Sequence, residues 1–436
     1  MAKVTPLKDD TNSSVIYQPL LDTESSLMFF LAEPAITTIT FFKGADAKLS
    51  SVWLVNRLTE ICNVNPWLVG RLVKNKRLHK NVLLEIPRIV TEEDVHSILC
   101  QDETVTSKLS RISTKSKYED LVDVILKSDV VVAPGYKLIG RKDRRIAKFT
   151  LVPVDNEQVA LIASITHAVS DGYTYYKVMS MLSGDIVELS YVRQHEFVPA
   201  SIEAIGTKEY KFLNSASFLI CCLRSMLRRS KDKRIDARYI DQDKIICSKE
   251  KVQDGFVSTN DIITSSFAQA TKADILLMAI NLRNRIKFAH FCHSGNYESV
   301  IVHDSISAST PRALRKTLNG GAPFKRDGDK RLPGFFKTVF CKVSMITNWS
   351  FPEIWKADLK LFHSSGGKSI PLDLHLPVYN VKDIAFPLGI IFRAKADRLA
   401  ILYGGNTGEI SYQRLTEVGG PIGEQVSTAM FPNSNH

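Results

Sequence analysis

Between Ala147 and Leu182 the chain changes its apolar period, and an all-helical or all-strand fold cannot accommodate the change. Ala147–Val154 and Val159–Ile165 alternate as strands do, and the turn Asp155-Asn156-Glu157 joins them as an antiparallel pair. Tyr173–Leu182 then takes helical spacing, with Gly184 just past its end as a stop. The same mixture recurs on either side. Leu49–Cys62 reads as a helix (Val52, Leu54, Val55, Leu58, Ile61) closed by Pro66, Leu83–Ile86 as a strand and Glu119–Leu126 as a helix. Beyond Phe256 a helix at Asp261–Thr271 precedes a strand at Ile275–Asn281. The fold class expected is α/β (α+β), with mixed sheets and flanking helices.

A chain of 436 residues exceeds what one hydrophobic core usually organises, so two domains are expected. Between them the sequence becomes basic and irregular, peaking at Arg224–Arg234. The division is therefore 1–195, a crossover segment 196–250, and 251–436, with a cleft between the two domains. Within the crossover, Phe212–Arg229 sets apolar residues beside Arg224, Arg228 and Arg229. Such a basic amphipathic helix can lie on a membrane; the reading adopted is a crossover helix packed on its own protein, so that peripheral membrane contact through 212–229 is not expected. Lys and Arg total 57 against 46 Asp and Glu, a formal charge of +11 that suits a polyanionic partner. Nucleotide cofactor, nucleic acid and anionic membrane all satisfy it, and no nucleic-acid module is present to favour that class.

Seven scattered cysteines do not make a disulfide framework, and there is no Cys-x-x-Cys. The opening Met1-Ala2-Lys3-Val4-Thr5-Pro6 lacks the apolar core of a signal peptide, and no long apolar run could span a bilayer. A cytoplasmic monomer is the expectation. Several motifs fail on inspection. Gly366-Gly367-Lys368-Ser369 ends like a phosphate loop, but the earlier glycine position is Phe362. There is no Gly-x-Ser-x-Gly elbow. His290, Cys292 and His293 lack a second ligand pair at useful spacing, so no metal is expected.

The segment with chemical content is His167-Ala168-Val169-Ser170-Asp171-Gly172, set at the end of the apolar strand Leu161–Ile165. An imidazole on a strand-end loop can act as a base near neutral pH. Gly172 is expected to permit a backbone bend that other residues resist. Taken alone, the segment fits equally a structural histidine followed by a capping aspartate.

His-x-x-x-Asp-Gly after a strand resembles the signature of the coenzyme A-dependent acyltransferase superfamily, which includes chloramphenicol acetyltransferase, condensation domains and the BAHD acyltransferases. Further segments follow in BAHD order. They are Pro66-Trp67-Leu68-Val69-Gly70-Arg71-Leu72, Val257-Ser258-Thr259-Asn260-Asp261, Asn281-Leu282-Arg283-Asn284-Arg285 with Gly295-Asn296, and Thr347-Asn348-Trp349 with Asp358 nine residues on. The resemblance spans about residues 50–410. It departs after Asp358, where Leu359-Lys360-Leu361-Phe362 replaces the family's Phe-Gly-Trp-Gly. It implies two chloramphenicol acetyltransferase-like domains with an active-site channel at their interface. It implies His167 as general base, Thr347 and Trp349 as oxyanion donors, and Asp171 held by Arg283 to fix the catalytic loop, with Gly172 supporting it. Ser258, Thr259, Asn260 and Asn348 are expected along the path of coenzyme A and substrate. Acyl-coenzyme A is then a co-substrate and no cofactor is permanently bound; the acceptor is a small-molecule or lipid-like alcohol or amine. The competing readings are a condensation-type domain fed by a carrier protein and a degenerate, non-enzymatic binding protein.

Overall fold

The computed structural model describes residues 13–426 except 28, 75–81, 101–102, 111, 115, 156–157, 228–232, 253–254, 327–331, 363–368 and 381–384. The Asn156-Glu157 part of the expected turn, residues 366–368 of the rejected phosphate loop, and Arg228 and Arg229 lie outside the described residues.

Three sheets carry the fold. A five-stranded sheet runs in the order Lys360–Phe362, Ser369–Pro377, Ile36–Lys43, Gln158–Ile165, Ala147–Asp155. Its strand Gln158–Ile165 pairs antiparallel on both sides, with Ile162 opposite Ile39 and Thr150. Seven of that strand's eight residues are buried, which explains a nearly continuous apolar run where a half-exposed strand would alternate. The helix Ala47–Val64 caps its start with the Asp46 carboxylate on the Leu49 N–H (2.8 Å) and buries Leu54, Leu58, Ile61 and Cys62. Val52, assigned to that face from its spacing, points to solvent instead. Pro66–Val69 forms a 3-10 turn before the strand Arg71–Lys74, which joins a small sheet with Val15–Pro19 and Val82–Pro87.

The third sheet has seven strands, ordered Ile422–Gln425, Lys233–Ile240, Arg398–Asn406, Leu388–Lys395, Val343–Asn348, Ile275–Asn281, Glu298–Asp304. Val343–Asn348 runs parallel to both its neighbours. The sheets do not follow the linear division at 195 and 250. Two strands from the second half, Lys360–Phe362 and Ser369–Pro377, complete the five-stranded sheet of the first.

The segment 196–250 is not irregular. It contains the helices Phe197–Ile205, Thr207–Leu213, Ala216–Leu227 and Gln242–Glu250 and the strand Lys233–Ile240, which pairs with Arg398–Asn406. Many of its described charges, Glu203, Lys208, Lys211, Arg234 and Lys249 among them, sit on exposed faces, and Gly206, at φ +98°, separates the first two helices.

Candidate active site

The strand Gln158–Ile165 delivers His167 to the space between the two large sheets, and Asp171 then opens the helix Gly172–Met181. That helix is anchored on the five-stranded sheet by buried polar pairs. Tyr175 Oη meets Thr38 Oγ1 at 2.7 Å, and Tyr176 Oη meets His375 Nε2 at 3.0 Å. Facing it, the seven-stranded sheet supplies the loop after Ile275–Asn281, which carries Arg283, the first residue of Glu298–Asp304, and the end of Val343–Asn348.

Asp171 does two jobs at once. Its Oδ1 accepts the Thr174 N–H at 2.9 Å as a helix cap, while its Oδ2 meets Arg283 Nη1 at 2.5 Å and accepts the Tyr297 N–H at 3.1 Å. Arg283 has no exposed side-chain surface. Its remaining donors reach Thr174 Oγ1 (3.0 Å), Gly295 O (2.9 Å) and His293 O (3.1 Å), and its guanidinium stacks 4.6 Å from the Tyr173 ring. The carboxylate thus points away from His167 and ties the loop 167–171 to the opposite sheet. Gly172 holds its place for a reason different from the expected bend. Its backbone is not left-handed, but a Cβ there would press on Trp349 Cδ1 and Phe351 Cε2 at 3.3 Å.

The protonation of His167 follows from Asn296. The Asn296 Nδ2 donates to His167 O (2.8 Å) and to Glu24 Oε1 (3.2 Å), so Oδ1 is the atom turned toward His167 Nδ1 at 3.1 Å. A carbonyl oxygen only accepts, so Nδ1 carries the hydrogen, and in the neutral ring the lone pair is on Nε2. Glu24 is fixed in turn by an ion pair with Arg193 at 2.8 Å, both side chains fully buried, and accepts the Asn296 N–H at 2.9 Å. Phe30 stacks on the imidazole at 5.0 Å and 16°.

Nε2 faces two carboxylates, Glu33 at 3.6 Å and Glu298 at 3.8 Å. Burial alone would lower the His167 pKa, but these carboxylates overcome it and the net displacement is upward. Glu298 is itself pushed up to about 7, first by burial and then by the Asp171 charge. The imidazole and the Glu298 carboxyl are thus both displaced upward.

The imidazole, 13% exposed, opens on an apolar cavity. Phe197, Ile202 and Leu213 from the crossover helices line one part, and Met345, Thr347 and Trp349 from the seven-stranded sheet line another. The alternation of a strand puts residues 345, 347 and 349 on the His167 side and sends Asn348 to the other face. There Asn348 Nδ2 donates to Asn260 Oδ1 at 3.1 Å in a second, more open cavity lined by Lys177, Arg285 and Tyr173. Ala279 lines both spaces. Among the expected path residues only Asn260 and Asn348 line that second cavity. Ser258 caps the helix Thr259–Thr271 in a capping box with Asp261 and accepts from Arg315 Nη2 at 2.7 Å. Thr259 is the first residue of that helix and lines neither cavity.

Glu24, Arg193, Phe30, Glu33 and Glu298 escaped the sequence reading, since none belongs to a motif. His290 and His293 bond to each other's segment, the His290 N–H donating to His293 Nδ1 at 3.2 Å.

These sheets and their exchanged strands define a class by fold: the two-domain chloramphenicol acetyltransferase-like architecture. No family model matches the sequence, and no curated protein matches it. Solved structures do match. Vinorine synthase superposes with a TM-score of 0.55 at 12% identity, over 97% of each chain. TRI101 of F. graminearum, complexed with coenzyme A and T-2 mycotoxin, gives 0.60 at 11%, over 92% of this chain and 96% of that one. TRI3, a trichothecene 15-O-acetyltransferase from Fusarium sporotrichioides, gives 0.58 at 9%, over 93% and 95%. The likeness is one of fold.

Proposed function

We propose that this chain is an acyltransferase that moves an acyl group from acyl-coenzyme A to a hydroxyl or amine of a small-molecule or lipid-like acceptor, with His167 as general base. The observation that carries the proposal is the Asn296 carbonyl, which holds Nδ1–H and so directs a free Nε2 lone pair into a cavity shared with Thr347 and Trp349.

Nε2 takes the proton of the acceptor O–H or N–H as that atom attacks the thioester carbonyl. The carbonyl π electrons move onto oxygen, and Thr347 Oγ1–H and Trp349 Nε1–H are assigned as its donors because both residues line this cavity. When the tetrahedral centre collapses, the C–S bond breaks and His167 returns its proton to the leaving thiolate. No covalent acyl-enzyme is needed. Proton transfer of this kind contributes roughly 10²–10⁴-fold, and holding both substrates together contributes most of the rest.

The two cavities differ in the way two unlike substrates require. Lys177 and Arg285 in the second suit the phosphates of coenzyme A, next to the Asn260–Asn348 pair. The apolar walls of the first suit the acceptor or the acyl chain, and Glu33 and Glu298 at its reacting end suit hydroxyl or ammonium hydrogens. In the resemblance, Asp171 and Arg283 position the loop, and their geometry supports that assignment.

The test is thiol release. A panel of acyl-coenzyme A donors is mixed with hydroxyl and amine acceptors, and free coenzyme A is followed colorimetrically. Wild type is expected to release thiol in an acceptor-dependent way, while His167→Ala keeps the wild-type circular dichroism and loses at least about 10²-fold in rate. An active His167→Ala protein refutes the mechanism. A wild type that ignores free acyl-coenzyme A but uses a carrier-protein thioester moves the chain to the condensation type.

A further inference from the structure

The helix Ala216–Leu227 buries one face and leaves a second apolar face bare. Phe218 and Cys221 pack with Phe212, Val302 and Val343 against the seven-stranded sheet. Leu219, Leu223, Met226 and Leu227 follow one helical stripe on the outside, at 43, 50, 56 and 80% exposure. The helix Phe335–Phe340 lies against this one. Arg224 Nη1 donates to Val339 O at 2.9 Å, and the guanidinium sits 4.8 Å from the Phe340 ring centroid. That second helix exposes Phe335, Phe336 and Phe340, Phe336 by 79%.

Scattered exposed apolar side chains need no explanation, but so many on two touching helices do. The charge around them is positive. Lys337 and Lys342 are exposed beside the phenylalanines. Two carboxylates border the region: Asp274 Oδ2 accepts the Lys342 backbone N–H at 2.9 Å, and Glu409 Oε2 accepts from Asn406 Nδ2 at 2.8 Å.

We infer that the outer faces of Ala216–Leu227 and Phe335–Phe340 dock on an anionic membrane surface. Apolar side chains with cations beside them match the acyl boundary and headgroups of such a surface. A second copy of the chain matches poorly, because two like-charged chains, each +11 overall, would bring the same exposed lysines face to face. Among the described residues no helix is long and apolar enough to cross a membrane, so the contact is peripheral. The docking face also adjoins the reaction chamber. Leu213 and Asn214 line the cavity at His167, and Ala216 begins the exposed stripe two residues later. The helix read from sequence as packed on its own protein is thus packed on one side only.

The inference rests on the surface and needs no turnover to test. The full chain is floated with vesicles of phosphatidylcholine, or of phosphatidylcholine with phosphatidylserine. Wild type is expected to rise with the anionic vesicles, less with the neutral ones. Leu223→Asp/Phe336→Asp should stay behind with an unchanged circular dichroism spectrum, both positions being exposed. Lys337→Gln, a milder change, should weaken binding about fivefold, the factor implied by about 1 kcal/mol per lysine near an anionic leaflet. A wild type that binds neither vesicle, or variants that bind as wild type does, overturns the inference. So does light scattering that shows a wild-type dimer split by Leu223→Asp/Phe336→Asp, which would make a second copy the occupant.

Discussion

Removing Arg283 gives the sharpest test of how the catalytic loop is held. Asp171 is 1% exposed at its side chain, and without the guanidinium its charge keeps only the Thr174 and Tyr297 N–H groups. Breaking a buried pair from one side costs about 3–5 kcal/mol, because the surviving charge cannot reach water. Arg283→Met should lose that much in equilibrium urea unfolding followed by circular dichroism. Asp171→Asn should also lose stability. Its amide must turn a donor either toward Arg283 Nη1 and the Tyr297 N–H or toward the Thr174 N–H, and all of these are donors already. The double variant carries neither charge. Its loss should therefore fall short of the two single losses combined by about 2 kcal/mol, a coupling expected of residues in direct contact. Being buried, the coupling should persist in high salt. Losses that add to within about 0.5 kcal/mol, or a coupling erased by salt, refute the assignment of Asp171 and Arg283 as one buried unit.

Three further outcomes follow from the same site. Glu298→Gln removes one of the carboxylates that raise the His167 pKa, so the base form persists to lower pH and the acid limb of kcat/KM moves down; a limb that stays or moves up contradicts the assignment. Asn296→Ala frees His167 Nδ1, and kcat should fall on the order of 10²-fold with KM little changed, as a misaligned base requires; equal kcat would separate Asn296 from catalysis. Gly295 sits at φ +115°, where a Cβ would lie 2.7 Å from Arg193 Cζ, so Gly295→Ala should cost at least about 1–3 kcal/mol in urea unfolding, and a silent substitution would show that the loop can yield.

The sequence was most informative where local period and motif coincide. The strands on either side of residue 156 and the helix after Asp171 announce themselves through dense apolar runs, and Gln158–Ile165 and Gly172–Met181 are almost wholly buried. Arg283 was reached through its place in an ordered set of motifs, and its contact with Asp171 spans 112 positions. Glu24 had no such support. It meets Asn296 across 272 positions from an irregular segment, and a lone glutamate there has no period to mark it. Ser258 shows the converse, since Ser-x-x-Asp before an apolar helix is a capping pattern and the hydroxyl serves the cap. The crossover segment misled because its charges and its apolar residues share the same short helices, so neither period dominates.

The strand exchange between the halves also sets a timetable for synthesis. Ile36–Lys43 hydrogen-bonds on one side to the strand that leads to His167, and on the other to Ser369–Pro377. A growing chain makes the first partner early and the second only after residue 377 has been made. Through that interval an eight-residue strand, seven of whose residues end up buried, presents an open row of N–H and C=O groups to any neighbour on the same messenger. The cavity at His167 therefore cannot mature with the first half of the chain. A fragment ending near residue 250 should collect as aggregates, while the second half supplied in trans has a specific seat to fill.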